Sequence, residues 1–141
     1  MLRVMITGYS RHSKGIVDAL RQNGEEVYVT TPINNNLGSL FFLSSTIKCI
    51  LNKNVILLVT SVSSGSTLDG ALDCVGYYGG NLVGISSLFL AAPNEQEQEI
   101  NAVFTSEDIP GYTIYRSRNC AMCRAGQKLD ALISSEGYMK I

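Results

Sequence analysis

Five consecutive residues near the middle of the chain, Val55-Ile56-Leu57-Leu58-Val59, are all aliphatic. A strand with one wet face alternates apolar and polar side chains. A run without alternation belongs to a strand covered on both faces, the mark of a parallel sheet lying between helices. The next segment supplies such a cover. Beyond Thr60–Gly65, the residues Leu68, Ala71, Leu72 and Val75 recur at i, i+3, i+4 and i+7, one face of a helix. This helix is predicted to end near Gly79-Gly80, and Leu82-Val83-Gly84-Ile85 then starts a second buried strand. The length of the crossover and the two-sided burial predict a parallel βαβ unit.

The flanks extend the alternation. Leu2–Ile6 reads as a strand ending at Thr7-Gly8, and Lys14–Gln22 as a helix with Ile16, Val17 and Leu20 on one face, stopped by Asn23-Gly24. Glu26–Thr31 reads as a strand broken by Pro32; Asn34-Asn35-Asn36 and Gly38 mark a loop, and Ser39–Leu51 reads as a short helix or irregular chain. Ile100–Thr105 is predicted as a further strand, and Leu129, Leu132 and Ile133 suggest a short terminal helix. No internal repeat or low-complexity segment interrupts the pattern. The fold class expected is α/β, a doubly wound, mostly parallel sheet in a single domain over 1–141, less regular over 106–141.

Composition narrows the partners. The chain has 141 residues, 45% hydrophobic and 16% charged, enough to bury a core and too apolar for disorder. A formal net charge of −1 argues against a nucleic-acid surface, which would carry a basic stripe. No apolar run approaches the roughly 18 residues that span a bilayer. Met1–Ile6 lacks the regions of a signal peptide, so a cytoplasmic protein without a membrane partner is expected.

The chemistry points to Ser63-Ser64-Gly65-Ser66-Thr67, at the carboxyl end of the apolar strand and the opening of a helix. Ligands of open parallel sheets bind at that end. Small residues let the backbone curl so that successive N–H groups aim at one spot; the helix dipole and several hydroxyls add to the field, and a phosphate monoester is the natural guest. A plainer reading has Ser66 capping the helix, with Asp69 completing a capping box. Both readings can hold together.

The stretch from Val55 through Thr60-Ser61-Val62-Ser63-Ser64-Gly65-Ser66-Thr67 to Leu68 resembles the phosphoribosyl-pyrophosphate (PRPP) signature of the type I phosphoribosyltransferases. Gly79-Gly80-Asn81-Leu82-Val83-Gly84-Ile85 is similar to the segment that comes after the helix in that family. Thr7-Gly8 and Lys14-Gly15-Ile16 resemble the pyrophosphate turn of orotate phosphoribosyltransferases, and Cys120-Ala121-Met122-Cys123 a cysteine segment of some orotate-like members. The match is good over 1–92 and loose beyond. It implies a Rossmann-like phosphoribosyltransferase core acting on PRPP with Mg²⁺ in pyrimidine nucleotide synthesis, and a homodimer. It also implies roles: Ser63, Ser64, Gly65, Ser66 and Thr67 at the 5-phosphate, Thr60 and Ser61 at the ribose, Gly8, Arg11 and Lys14 near the pyrophosphate. The family's acidic pair, which grips the ribose hydroxyls, is replaced by Thr60-Ser61. Its long mobile loop should fall in Thr31–Asn54. A nucleotide-binding module without catalysis is therefore the alternative.

Other residues admit plain readings. Arg11, His12 and Lys14 could clamp a pyrophosphate or form a solvated basic turn. Cys120-x-x-Cys123 supplies two thiolates at zinc spacing, a redox pair, or plain surface thiols; a structural zinc wants four ligands, so a second subunit would have to complete it. Cys49 and Cys74 sit in apolar stretches as small hydrophobes. Tyr77, Tyr78, Tyr112 and Tyr115 read as rim or core aromatics, or as an interface.

Overall fold

The computed structural model describes residues 2–7, 11–35, 39–91, 98–115, 117–134 and 136–141. Strand β1 (Leu2–Thr7) leads to helix α1 (Arg11–Gln22) and strand β2 (Val27–Thr30). A small hairpin, β3 (Ile33–Asn34) and β4 (Leu40–Phe41), and a one-turn helix α2 (Ser44–Ile47) precede β5 (Asn54–Val62). Helix α3 (Ser66–Tyr77), β6 (Asn81–Leu90) and β7 (Ile100–Thr105) complete the main layer. Further on lie α4 (Ala121–Arg124) and an antiparallel pair, β8 (Ala131–Ser134) and β9 (Gly137–Lys140).

Five strands pair in the order β2-β1-β5-β6-β7, and every pairing is parallel. Because side chains alternate along a strand, β5 loads both faces. Leu57 and Leu58 are 0% and 1% exposed although they point to opposite sides. On one side Met5, Val55, Leu57, Val59 and Ile85 pack against Leu68, Ala71, Cys74 and Val75 of α3. On the other, Val4, Ile6 and Leu58 meet Val17 of α1, with Ile16 and Leu20 at the margin. Each buried large aliphatic side chain contributes about 1.5–3 kcal/mol. Helices on both faces of a parallel sheet make this the doubly wound α/β fold that the aliphatic run required. Among the described residues no helix is long and apolar enough to cross a membrane.

Several boundaries differ from expectation. Helix α1 starts at Arg11 rather than Lys14, so Arg11 and His12 belong to its first turn and not to a loop. Strand β5 runs on through Thr60 and Ser61 to Val62, held by pairing of Ser61 with Phe89 and Val62 with Leu90. Strand β6, whose start the sequence places at Leu82–Ile85, runs on to Leu90; its small residues Ser86 and Ser87 hide a strand that neighbours on both sides stabilise. The terminal helix expected from Leu129, Leu132 and Ile133 is a hairpin instead. Three apolar residues over one turn cannot offset helix nucleation, and Gly137, at φ 135°, permits the return strand. The segment Thr31–Asn54, where the resemblance implied a long mobile loop, contains β3, β4 and α2, the last a short helix inside Ser39–Leu51 as the residues themselves suggested. Its hairpin is closed by Asn35 N–H to Ser39 O (3.0 Å) and Ser39 N–H to Asn35 Oδ1 (2.9 Å).

Contacts at both ends fix that segment to the end of α3 and the start of β6. The backbone N–H of Phe42 donates to the Tyr78 hydroxyl at 3.3 Å, and the two rings meet edge to face at 5.4 Å. Below, Asn52 N–H donates to Gly79 O and Asn81 N–H to Lys53 O, both at 2.8 Å. This close approach depends on Gly80. A Cβ there would stand 2.9 Å from Val75 Cγ1, 3.0 Å from Ile50 Cγ2 and 3.1 Å from Val55 Cγ2. Gly80→Ala should therefore cost about 1–3 kcal/mol by overpacking. Gly84→Ala, whose Cβ would meet nothing within 4 Å, should shift stability by less than ~1 kcal/mol. Urea unfolding of the two variants beside the parent checks the contrast.

Candidate functional site

Strand order reverses between β1 and β5: β1 connects outward to β2, β5 outward to β6. In a parallel sheet the loops leaving two such neighbours part at one edge and open a crevice there. The loop leaving β5 is Ser63-Ser64-Gly65, and Gly65 sits at φ 84°, ψ −17° immediately before the first residue of α3. That left-handed geometry costs other residues about 1–2 kcal/mol and glycine almost nothing. Gly65 is buried, while Ser63, Ser64, Ser66 and Thr67 are exposed. Ser64 Oγ and Ser66 Oγ lie 3.1 Å apart in a hydrogen bond.

The capping box expected from Ser66 and Asp69 does not form. Gly65 is the N-cap and Ser66 already helical, and no side chain caps the helix. The Asp69 N–H instead makes the ordinary helical bond to Gly65 O, 2.8 Å. The early N–H groups of a helix have no partner within the helix, so this end carries positive partial charge uncompensated by a cap. Asp69, in the first turn, is its nearest acidic residue in sequence.

Beside this turn opens a cleft of about 310 Å³ lined by Thr31, Pro32, Asn34, Leu40, Val59, Thr60, Ser61 and Thr67. It brings together three of the expected positions, Thr60, Ser61 and Thr67. Ser63, Ser64 and Ser66 stand outside its lining. Thr31 and Pro32, just past β2, and Asn34 and Leu40 of the hairpin form the opposite wall; sequence reasoning did not single them out. Thr31 could have been found, since every strand of a parallel sheet delivers its last residues to the same edge. Of the expected pyrophosphate residues, Gly8 and the side chain of Arg11 lie outside the described residues. Lys14 is not in the cleft's lining; it pairs with Asp18 one turn along α1 at 2.5 Å, an exposed contact worth about 0.3–0.5 kcal/mol.

Among the described residues neither carboxylates nor cations line the cleft, so its polar chemistry is that of hydroxyls, one amide and backbone. Mg²⁺ is usually held by one or two carboxylates together with substrate phosphates. Thr60 and Ser61 do not supply that donor set, and among the described residues no group of three His, Cys, Asp or Glu could hold a metal. A magnesium ion here would have to be carried by the phosphates of the ligand.

The cysteines fall into two kinds. Cys74 is buried in the core, where burial pushes its thiol up. Cys120 and Cys123 bracket the first turn of α4; Cys123 N–H donates to Cys120 Sγ at 3.3 Å. Among the tyrosines, Tyr77 is exposed, Tyr78 packs on the core, and Tyr112 stands edge to face with Phe89 at 5.0 Å.

No protein-family model matches the chain, and no curated protein matches it. Solved structures do. The hypoxanthine phosphoribosyltransferase of Trypanosoma cruzi aligns at TM-score 0.59 and 10% identity, over 74% of this chain and 61% of that one. An adenine phosphoribosyltransferase from Thermoanaerobacter pseudethanolicus aligns at TM-score 0.54 and 12% identity, over 74% and 68%. The HGPRT-ase of Leishmania tarentolae, solved in complex with GMP, aligns at TM-score 0.53 and 16% identity, over 74% and 59%. The fold is thus that of the type I phosphoribosyltransferases. The chain spans about three fifths of the T. cruzi and L. tarentolae enzymes.

The turn yields a stability prediction. Gly65→Ala should cost about 1–2 kcal/mol through the left-handed backbone alone. Ser66→Ala should cost less than ~0.5 kcal/mol, where loss of a true N-cap would cost about 1. Chemical denaturation of both variants without ligand decides it.

Proposed function

We propose that this chain binds a 5-phosphorylated ribose at the β5–α3 turn and transfers it poorly. The observation carrying the reading is the uncapped start of α3 behind Gly65, at the carboxyl edge where the strand order reverses. Backbone N–H groups at a helix N-terminus suit a phosphate dianion, and four neighbouring hydroxyls can add donors. In this reading Ser63, Ser64, Gly65, Ser66 and Thr67 hold the 5-phosphate, and Thr60 and Ser61 lie under the ribose. Gly8, Arg11 and Lys14 stand near a pyrophosphate, which would bring Mg²⁺ with it. The acceptor would be a nitrogenous base, of orotate type by the sequence resemblance. The purine enzymes of like fold, one of them bound to GMP, add hypoxanthine, guanine and adenine to the acceptors worth testing.

Poor transfer follows from the hydroxyl-lined cleft. A carboxylate hydrogen-bonded to a sugar hydroxyl contributes on the order of 1.5–3 kcal/mol, a neutral pair about 1. Thr60 and Ser61 in place of two carboxylates forfeit roughly 1–4 kcal/mol of sugar binding, up to about a thousandfold in affinity. The larger deficit is in the transition state, where the sugar becomes cationic and preorganised anions would stabilise it. The chain then serves best as a phosphoribose-nucleotide sensor.

Two measurements test this. Ribose 5-phosphate, nucleoside monophosphates or Mg²⁺–PRPP at millimolar concentration should raise the melting temperature of the parent, and Gly65→Val should abolish the rise; a parent that responds to none refutes the site. Thr60→Asp combined with Ser61→Asp should tighten Mg²⁺–PRPP binding by calorimetry. Parent turnover with any of the four bases at about 1 s⁻¹ or faster, the low end of ordinary enzymes, would refute the sensor reading.

A further inference from the structure

Cys120 and Cys123 take no part in the cleft, yet their arrangement is reactive. They are three residues apart around the first turn of α4, where Cα atoms stand about 5 Å apart, within the roughly 4.4–6.8 Å that a disulfide bridges. Cys120 Sγ accepts the Cys123 backbone N–H at 3.3 Å. Both residues are reachable, Cys120 half-buried and Cys123 exposed, in contrast to Cys74 in the core. The donors stabilise negative charge on Cys120. Its thiol is held below the ordinary range, chiefly by the Cys123 backbone N–H, then by the Cys123 thiol, with a smaller contribution from the Arg124 cation. Cys123 is pushed up because its proton is the one shared with Cys120.

We propose that Cys120 and Cys123 form a dithiol–disulfide site that exchanges with small-molecule disulfides. The Cys120 thiolate attacks one sulfur of the incoming disulfide, forming a mixed disulfide and expelling a thiolate, which takes up the proton Cys120 has given. Cys123, deprotonated in turn, attacks Cys120 Sγ; the mixed bond breaks, the intramolecular bond forms, and a second thiol leaves. Two electrons and two protons pass from the dithiol to the external disulfide, which is reduced to two thiols. The unequal sulfurs suit this order: the stabilised thiolate attacks first, and the neighbour that had donated to it resolves. As a metal site the pair is short of donors, since two thiols leave half of a tetrahedral shell unfilled and the described residues hold no third ligand alongside.

The test uses the whole chain and glutathione disulfide as probe. The parent should lose the mass of two hydrogens, with peptide mapping placing the bond between residues 120 and 123 and dithiothreitol reversing it. Cys123→Ser should trap glutathione on residue 120. Cys120→Ser should acquire it on residue 123 at least about tenfold more slowly. Equal rates in the two variants, or no bond between 120 and 123 in the parent, would overturn the proposal. So would purified protein carrying half an equivalent of zinc per chain, because the pair would then be half of a site shared by two copies.

Discussion

A parallel strand buried on both faces has no place for a charged side chain and no tolerance for an unpaired backbone group. Strand β5 answers both demands, and the rest of the chain is arranged around that answer. Leu57 and Leu58 point to opposite sides and both vanish from solvent, so a helix must lie on each face. β1 pairs along one edge as far as Val59 and β6 along the other as far as Val62, so the buried stretch has partners on both sides. The crossovers then have little freedom: α1 covers one face on the way from β1 to β2, and α3 covers the other on the way from β5 to β6. The crevice at the reversal of strand order is a by-product of this winding, present before any residue is chosen to line it.

The described side chains that line that crevice are neutral. Hydroxyls, one amide and an uncapped helix start offer donors without fixed charge, and the nearest acidic side chain in sequence, Asp69, belongs to the exposed first turn of α3. Such a surface attracts an anion through oriented dipoles, whose field fades within about one helical turn. It discriminates by shape and hydrogen-bond count. Oriented N–H groups of this kind favour a negative charge over a positive one.

The sequence is most informative where local pattern and burial coincide. Val55–Val59 and the apolar face from Leu68 to Val75 each specify an element and its neighbours, because burial leaves few alternatives. It is least informative where partners supply the stability. Ser86 and Ser87 have no intrinsic preference for a strand, yet β5 and β7 on either side hold them in one. Pattern alone misplaces the N-cap by one residue because Ser66-x-x-Asp69 satisfies the capping box equally well, while the turn needs a left-handed residue and so draws the cap back to Gly65. The far wall of the cleft, Asn34 and Leu40, is invisible to local pattern, since the Tyr78 hydroxyl that anchors the region lies 36 residues from Phe42. The terminal apolar residues show a helical spacing too brief to outweigh a hairpin turn at Gly137.

The extension of β5 to Val62 bears on how chains of this fold diversify. Thr60 and Ser61 lie on a strand locked by β6, ahead of the turn that contains Gly65. Their side chains can be exchanged while the backbone that presents them stays where it is. Descent can therefore alter what the edge of the sheet grips, one codon at a time, without reopening the question of whether the chain folds. The turn has no such latitude, since Gly65 answers to geometry.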